Sequence, residues 1–294
     1  MNIFDRLKDY LVTSGGQRLD VSNRFVLERH AFSGTMSKFR VAREIATGER
    51  MGLKLLDTEK TRLFSDRFKG LNKPREGEIG LAIQHPRIVE TYEFGHTTAG
   101  QEYILMEYVH GPGLNSAINE RNPSLPPRRL AFIRQMTEAV QGVHEAGFIH
   151  RDICPRNFIC HHDLQWLKLI DFGLTLPDQP EFRQPGNRTG TPQYMAPEIV
   201  RRRQTDRRVD IFALGVSFYK LLTGEHPWGS TDTSGVAALV HDQRPHDDIL
   251  EYRPNLHPAL VKAVNRCLAP RAEDRPESAE KILHMIREVQ SEES

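Results

Sequence analysis

The spacing of apolar residues predicts a β-rich first part of the chain. Between residues 25 and 56, short apolar runs alternate with turn residues, and Ala-Thr-Gly-Glu at positions 46–49 is typical of a hairpin turn. Residues 57–83 are charged and compatible with a helix, and further strands are predicted at residues 88–92 and 103–109. This part is therefore predicted to be a small sheet with one main helix.

The spacing becomes helical after a segment of glycine and proline at positions 110–113. The first helical run is carried by Leu130, Ile133, Met136, Val140 and Val143. Three more helical patterns lie at residues 211–222, 258–267 and 278–289. The second part of the chain is therefore predicted to be mainly helical, with the boundary near Gly111.

The N-terminal residues and the longest apolar stretch bear on membrane association. Residues 1–11 show a short amphipathic pattern, in which charged residues interrupt the apolar core that a signal peptide needs. The longest apolar stretch, residues 211–219, is far shorter than the roughly 18 residues of a membrane-spanning helix. We therefore expect a soluble chain without an integral membrane segment, in which residues 1–20 are an amphipathic extension.

Composition narrows the partners and the compartment. Lys and Arg number 40 and Asp and Glu number 39, so the net charge of +1 gives no general attraction to nucleic acid or membranes. Cys154, Cys160 and Cys267 form an odd count without a paired framework, which is typical of a reducing compartment. We therefore expect a cytoplasmic protein that binds no nucleic acid.

Three motifs in the second part carry the candidate chemistry. His-Arg-Asp-Ile-Cys-Pro-Arg-Asn occupies positions 150–157, Asp-Phe-Gly follows an apolar strand at 171–173, and Met-Ala-Pro-Glu lies at 195–198. In this order they resemble the catalytic loop, the metal-binding motif and the substrate-loop anchor of the eukaryotic-type protein kinase family, serine/threonine class. The resemblance covers residues 25–289.

The resemblance implies an α+β, bilobal, protein kinase-like fold. A small antiparallel β-sheet lobe with one main helix would occupy about residues 21–110, and a larger, mainly α-helical lobe about residues 111–294, with nucleotide in the cleft between them. Residues 21–294 would then form the kinase domain after the extension.

The implied activity is ATP- and Mg²⁺-dependent phosphoryl transfer to Ser/Thr hydroxyls of protein substrates, with autophosphorylation. Such transfer needs a carboxylate that accepts the hydroxyl proton, a divalent metal and a fixed cation. By resemblance, Asp152 is the catalytic base, and Asn157 and Asp171 hold Mg²⁺ through oxygen ligands. Gly-Thr-Pro-Gln-Tyr at 190–194 resembles the serine/threonine signature, whose threonine hydroxyl, here that of Thr191, bridges toward the base.

The nucleotide-binding residues are also implied by the resemblance. Lys54 ends the strand segment Met-Gly-Leu-Lys and is the cation expected on the α- and β-phosphates. Its partner is Glu76 by register, with Glu78 as the competitor, because residues two apart on a helix point to different faces. The adenine would be bound by the carbonyl of Glu107 and the backbone of Val109, which follow the gatekeeper Met106.

Two departures from the family pattern leave a second function open. The phosphate-covering loop, residues 32–37, retains only Gly34 of its glycines, and Cys154 stands where serine/threonine kinases carry a lysine. Arg156 occupies the position at which many tyrosine kinases place an arginine, so it is a candidate for the missing cation. The alternative is a pseudokinase that binds nucleotide or acts as a scaffold, although a scaffold has no need for the complete base and metal set.

The resemblance further implies two structural ties and one regulatory site. Glu198 should pair with Arg275, and Asp210 should hold the backbone of the catalytic loop. Arg151, next to the base, implies a phosphate-binding pocket for a phosphorylated residue between positions 171 and 198. Thr189 is the best candidate there, and the alternative is that it lies in a solvated loop without a regulatory role.

Overall fold

The computed structural model describes residues 18–33, 37–229 and 237–293, and its chain divides into two compact units, Met1–Val109 and His110–Ser294. The helix predicted at residues 1–11 and the candidate Gly34 lie outside the described residues. Across the described ranges, no helix is long and apolar enough to cross a membrane.

The first unit contains a five-stranded sheet in the order β1-β2-β3-β5-β4, in which every neighbouring pair is antiparallel. Its strands are β1 (Phe25–Ser33), β2 (Ser37–Glu44), β3 (Arg50–Leu56), β4 (Thr91–His96) and β5 (Glu102–Glu107). The turn predicted at positions 46–49 joins β2 to β3, as expected. The strand predicted at 88–92 begins instead at Thr91, which is the first residue of β4 that pairs with β5.

Among the described residues of this unit, three α-helices accompany the sheet, namely α1 (Val21–Arg24), α2 (Thr58–Ser65) and α3 (Glu76–Ala82). The segment 57–83, which the sequence makes compatible with a helix, therefore contains two separate helices, α2 and α3. Gly70, with φ of +87°, and Pro74, which has no N–H to donate, interrupt the segment between α2 and α3. The second of the two helices begins at Glu76, which places that glutamate in the first helical turn.

The alternation of β3 places its residues on opposite faces of the sheet. Leu53 is fully buried in a core with Phe25, Ala42 and Leu105. Its neighbour Lys54 points to the other face because successive strand residues alternate. Lys54 is nevertheless only 5% exposed, so this cation needs a partner in the protein.

The second unit is mainly helical and carries two short two-stranded sheets. Its helices are α4 (Leu114–Asn119), α5 (Arg129–Glu145), α6 (Pro197–Val200), α7 (Arg208–Thr223), α8 (Ile249–Tyr252), α9 (Pro258–Cys267) and α10 (Ala279–Met285). Strand β6 (Phe148–Ile149) pairs with β9 (Leu176–Pro177), and β7 (Phe158–Cys160) pairs with β8 (Leu167–Leu169). The α+β class predicted from the sequence is confirmed.

The helical spacing locates the longest helices correctly. Helix α5 buries four of the five apolar positions that predict it, Ile133, Met136, Val140 and Val143. Helix α10 ends at Met285, earlier than predicted, and the guanidinium of Arg134 binds the carbonyl oxygens of Ile286 and Val289 beyond it. A side chain thus satisfies carbonyl groups that a continuing helix would have used.

Candidate active site

Asp152 lies between β6 and β7 in the second unit, and both of its carboxylate oxygens accept hydrogen bonds. Oδ1 accepts from the backbone N–H of Thr191 at 2.7 Å and from the Thr191 hydroxyl at 2.8 Å. Oδ2 accepts from Asn157 Nδ2 at 3.0 Å, and the same amide nitrogen donates to the Asp152 carbonyl oxygen at 2.7 Å. The predicted bridge from Thr191 to Asp152 is confirmed.

The backbone before Asp152 is held by a buried carboxylate from α7. Asp210 is fully buried and accepts from the backbone N–H groups of His150 and Arg151, both at 2.8 Å, while its Oδ2 lies 2.9 Å from His144 Nε2. Burial alone would raise the pKa of Asp210, but the hydrogen bond and charge of His144 and the amide of Arg151 lower it overall. These bonds hold Arg151 in a left-handed conformation with φ of +68°, and the predicted tie is confirmed.

The chain between Asp171 and Glu198, here called the substrate-loop segment, approaches this backbone closely and requires glycine at position 190. Gly190 has φ of +126°, and a Cβ atom there would lie 2.8 Å from the carbonyl oxygen of Arg151 and 3.8 Å from Asp152 Oδ1. The first distance is shorter than real Cβ contacts allow, so any side chain would push the segment away from Asp152. The glycine therefore permits the two hydrogen bonds from Thr191.

A backbone hydrogen bond places Asp171 beside the loop that bears Asp152. The N–H of Ile170 donates to the carbonyl oxygen of Asn157 at 2.9 Å, and Asp171 follows directly in a left-handed conformation with φ of +69°. Its Oδ1 accepts from the N–H of Gly173 at 3.0 Å. Both hydrogens of Asn157 Nδ2 are donated to Asp152, so the amide oxygen is the atom with which Asn157 can bind a cation.

Burial has the largest effect on the pKa of Asp152. Desolvation raises the pKa of its carboxyl group, the hydrogen bonds from Thr191 lower it in part, and the negative charge of Asp171 raises it further. A carboxylate with a raised pKa is a better proton acceptor than an exposed aspartate.

The nearest cation to Thr191 comes from Arg156, whose side chain is exposed. Its Nη2 donates to the Thr191 hydroxyl oxygen at 2.9 Å, while that hydroxyl donates to Asp152. Cys154 Sγ lies 3.9 Å from the same oxygen, but burial raises the pKa of this thiol to about 11. The cysteine is thus uncharged at neutral pH, and Arg156 is the cation that contacts Thr191.

In the first unit, Lys54 Nζ forms an ion pair with Glu76 Oε1, and both side chains are largely buried. Glu78 is engaged elsewhere, because it accepts from the backbone N–H of Arg75 at 2.7 Å and from the Arg75 guanidinium at 2.8 Å. The two glutamates therefore have different partners, and the cation of Lys54 is held by the first residue of α3.

The candidate adenine-binding residues lie at the end of β5 and just beyond it. Met106 and Val109 are both buried, and Met106 pairs with Gly52 of β3. The N–H of Glu107 donates to the carbonyl oxygen of Glu90 at 2.9 Å. The backbone N–H of Glu107 is therefore already used within the unit.

A buried histidine that the sequence did not single out supports the substrate-loop segment. His241 Nδ1 donates to the carbonyl oxygen of Met195 at 2.8 Å, and its ring stacks on Trp228 with centroids 4.3 Å apart. Burial lowers the pKa of His241 to about 4, and the hydrogen bond to Met195 offsets only part of this. The folded state therefore holds the neutral imidazole.

We expect acid to destabilise the second unit through His241. An unfolded histidine takes up its proton near pH 6.5 and the folded one near pH 4, so this contribution is complete above pH 6.5 and is lost as the pH falls toward 4. The slope for one such group is at most about 1.4 kcal/mol per pH unit. Urea unfolding at several pH values checks this: His241→Asn, which keeps a donor, should flatten the slope, and an unchanged slope would contradict the assignment.

The second predicted tie anchors the Met-Ala-Pro-Glu segment. Glu198 Oε1 and Oε2 accept from Arg275 Nη1 at 2.7 Å and Nη2 at 2.9 Å, and the arginine side chain is completely buried. The same guanidinium donates to the carbonyl oxygens of Ala269, Arg208 and Pro270. This prediction is confirmed, and the pair fixes the segment that follows Thr191.

Comparison with known proteins places these features in a family. The protein kinase domain family matches residues 26–286. The chain is 30% identical over 282 residues to serine/threonine-protein kinase pkn3 of Myxococcus xanthus, covering 92% of this chain and 51% of that protein. It is 31% identical over 256 residues to serine/threonine-protein kinase PknH of Mycobacterium bovis, covering 86% of this chain and 42% of that protein.

The chain therefore belongs to the protein kinase domain family, as the sequence motifs predict. A vertebrate relative is also similar: the hormonally up-regulated neu tumor-associated kinase homolog of Xenopus tropicalis is 30% identical over 254 residues, which are 86% of this chain and 36% of that protein. The chain spans about half the length of the first of these relatives and less of the others.

Proposed function

We propose that this chain transfers the γ-phosphoryl group of ATP to Ser/Thr hydroxyls of protein substrates and phosphorylates itself. The observation that carries the proposal is the set of bonds around Asp152, whose carboxylate is aimed by Thr191 on one oxygen and by Asn157 on the other. The names of its bacterial relatives, which are serine/threonine-protein kinases, support the same activity.

In this mechanism Asp152 accepts the proton of the substrate hydroxyl. The Thr191 hydroxyl and N–H and the Asn157 amide prevent the carboxylate from rotating, which keeps one oxygen directed at the incoming hydroxyl. Burial supplies the raised pKa that favours proton transfer. Asp152 is thus the proposed catalytic base.

The residues of the second unit fit a divalent metal. Members of the protein kinase domain family use ATP and a divalent metal. Here the amide oxygen of Asn157 and the carboxylate of Asp171 are hard oxygen donors, the type that Mg²⁺ prefers. We assign them as the Mg²⁺ ligands, and the bound metal would neutralise charge on the phosphate oxygens.

The proposed nucleotide contacts of the first unit are a cation and a backbone segment. Lys54, fixed by Glu76, binds the α- and β-phosphates, because the ion pair holds its ammonium group in one place. Met106 closes the back of the adenine site, and the carbonyl of Glu107 and the backbone of Val109 bind the adenine. The buried side chains of Met106 and Val109 are consistent with this role.

The compartment follows from the cysteines. Cys154, Cys160 and Cys267 are all buried and free, and burial raises the pKa of each thiol. Free buried thiols are typical of a reducing environment. We therefore propose that this domain works in the cytoplasm on protein substrates.

Arg156 is the proposed replacement for the lysine that serine/threonine kinases carry at the Cys154 position. We expect Arg156→Ala to lower kcat for peptide phosphorylation by about tenfold to a hundredfold and to leave the KM for ATP nearly unchanged, because a transition-state cation is felt mainly in kcat. Steady-state kinetics with a Ser/Thr peptide measure both constants.

The matched control for this prediction is Arg188→Ala, an arginine of the same segment. It should change kcat by less than about twofold, since its side chain has no assigned role in the transfer. If Arg156→Ala keeps the wild-type kcat while Cys154→Lys raises it strongly, the site lacked a cation and the assignment of Arg156 is wrong.

The substrate class is tested by identifying the phosphorylated amino acid. The chain is incubated with γ-labelled ATP, Mg²⁺ and a generic basic protein, and the labelled products are hydrolysed and separated. We expect phosphoserine and phosphothreonine, because the Gly-Thr-Pro segment binds Asp152 as it does in the serine/threonine class. Label on tyrosine alone would contradict the proposed class.

A further inference from the structure

A buried carboxylate in the segment after the Asp-Phe-Gly motif binds two arginines. Asp178 is 3% exposed at its side chain, and its Oδ1 accepts from Arg183 Nε at 2.9 Å. Its Oδ2 accepts from Arg207 Nε at 3.0 Å and Nη2 at 2.7 Å. Charge-assisted bonds of this kind are roughly twice as strong as neutral ones. We call these three residues the Asp178 clamp.

The clamp is connected to the loop that bears Asp152. Asp178 follows β9, which pairs with β6, and its N–H donates to the carbonyl oxygen of Gly147 at 2.8 Å. Strand β6 leads within three residues to Asp152. Asp178, whose carboxylate binds the arginines, is therefore also fixed through its backbone to the residue before β6, the strand that leads into the catalytic loop.

The clamp also reaches Arg151. The carbonyl oxygen of Arg183 accepts from the N–H of Thr205 at 3.0 Å, and the Thr205 hydroxyl oxygen accepts from Arg151 Nη1 at 3.2 Å. Arg151 Nη2 donates to the carbonyl oxygen of Asn187 at 3.0 Å. Arg151, which the sequence assigns to a phosphate, is thus bound here to uncharged oxygens of the segment and of Thr205.

An anion placed among arginines is the means by which a phosphorylated segment becomes ordered. In this chain, the carboxylate of Asp178 already binds two arginine side chains from the segment and from the start of α7. We propose that Asp178 is a positioning residue that supplies this anion permanently. The segment then presents Thr191 to Asp152 without phosphorylation of Thr189.

This inference rests on the proposed function, because it concerns how the segment is held for phosphoryl transfer. Thr189 donates its hydroxyl to Asn187 Oδ1 at 3.3 Å and is not part of the clamp. Thr189→Ala should therefore keep kcat within about twofold of the untreated wild type, as expected for a surface substitution. Wild type treated with phosphatase should also keep kcat within about twofold. Loss of activity in either one would overturn the proposal.

The direct test is Asp178→Asn, which keeps the shape and removes the charge. We expect kcat for a Ser/Thr peptide to fall by about tenfold to a hundredfold, the cost of a misplaced substrate loop, with the KM for ATP unchanged. The matched control is Asp206→Asn, since Asp206 also binds an arginine, Arg208, at 2.6 Å, and this partner lies two residues away, at the start of α7. This control should keep the wild-type kcat.

Limited proteolysis gives a second measurement that does not depend on activity. Trypsin should cleave after Arg188 faster in Asp178→Asn than in wild type or Asp206→Asn, because the segment loses its clamp. If Asp178→Asn does not fold, Arg207→Gln, changed at a 41% exposed side chain, replaces it in both experiments. Wild-type kcat together with wild-type cleavage in the folded variant would overturn the proposal.

The two proposals fail differently. If wild-type protein transfers no phosphate, the proposed function is wrong, and the cleavage rates alone then decide whether Asp178 holds the segment. If the wild type is active only when it is phosphorylated, the proposed function stands and the proposed role of Asp178 is wrong.

Discussion

Asp152→Asn is expected to lower kcat for phosphoryl transfer by about 10²–10⁴, the contribution of a positioned general base. Asparagine keeps the shape and can still accept from Thr191, but it cannot take the proton of the substrate hydroxyl. Nucleotide binding should be retained because none of the proposed nucleotide contacts involves this side chain. Initial rates with a peptide substrate, together with calorimetric titration of ATP, measure the two effects separately.

The matched control is Asp163→Asn in the loop between β7 and β8. Asp163 is an exposed aspartate that binds His161 at 2.7 Å, and its replacement should leave kcat unchanged. Equal turnover in Asp152→Asn and wild type would remove the general base from the mechanism.

Breaking the buried pair between Glu198 and Arg275 is expected to lower the free energy of unfolding by about 3–5 kcal/mol, as for other buried pairs that lose one partner. Arg275→Met removes the guanidinium, which leaves the carboxylate of Glu198 buried without its partner. The substitution also removes the donor to three backbone carbonyl oxygens, those of Ala269, Arg208 and Pro270. Urea unfolding followed by circular dichroism measures the loss.

An exposed pair of the same charges is the comparison for this prediction. Arg287 and Glu288 lie 3.0 Å apart, but their side chains are 61% and 84% exposed. Glu288→Gln should leave the urea midpoint unchanged because solvent screens such pairs. A small loss in Arg275→Met, similar to that of the exposed pair, would show that the buried pair does not anchor the segment.

The parts of the fold that follow from sequence are those with strong periodicity. Helix α9 has the predicted bounds, 258–267, and α5 buries four of the five apolar positions that predict it. The segment from 57 to 83 is different, because charged residues are compatible with a helix throughout and so conceal a break. Gly70 and Pro74 are the local signals for that break.

The structural ties of the site could be predicted where a motif links distant positions. The bond from Thr191 to Asp152 spans 39 residues, and the pair of Glu198 and Arg275 spans 77, yet both follow from the resemblance to a family. Periodicity and composition contain no information about either contact. Sequence chemistry alone identifies only the residue types.

The Asp178 clamp shows why the remainder could not be predicted. Arg207 is 29 residues from Asp178, and it lies in a run, Arg-Arg-Arg-Gln-Thr-Asp-Arg-Arg at 201–208, that offers five arginines. Charge pairing does not select one of them over the others, because each could reach a carboxylate from a flexible chain. Only the position of Arg207 at the start of α7 brings it to Asp178.

The proposed function requires that the chain transfers phosphate and does not merely bind nucleotide. Its most direct test is incubation with γ-labelled ATP in Mg²⁺ and, in parallel, in a chelator that removes divalent metals. We expect label on the chain and on an added protein in Mg²⁺ and none in the chelator, since Asn157 and Asp171 are the proposed metal ligands. Tight binding of ATP in Mg²⁺ without any transfer of label would contradict it and would support a nucleotide-binding scaffold.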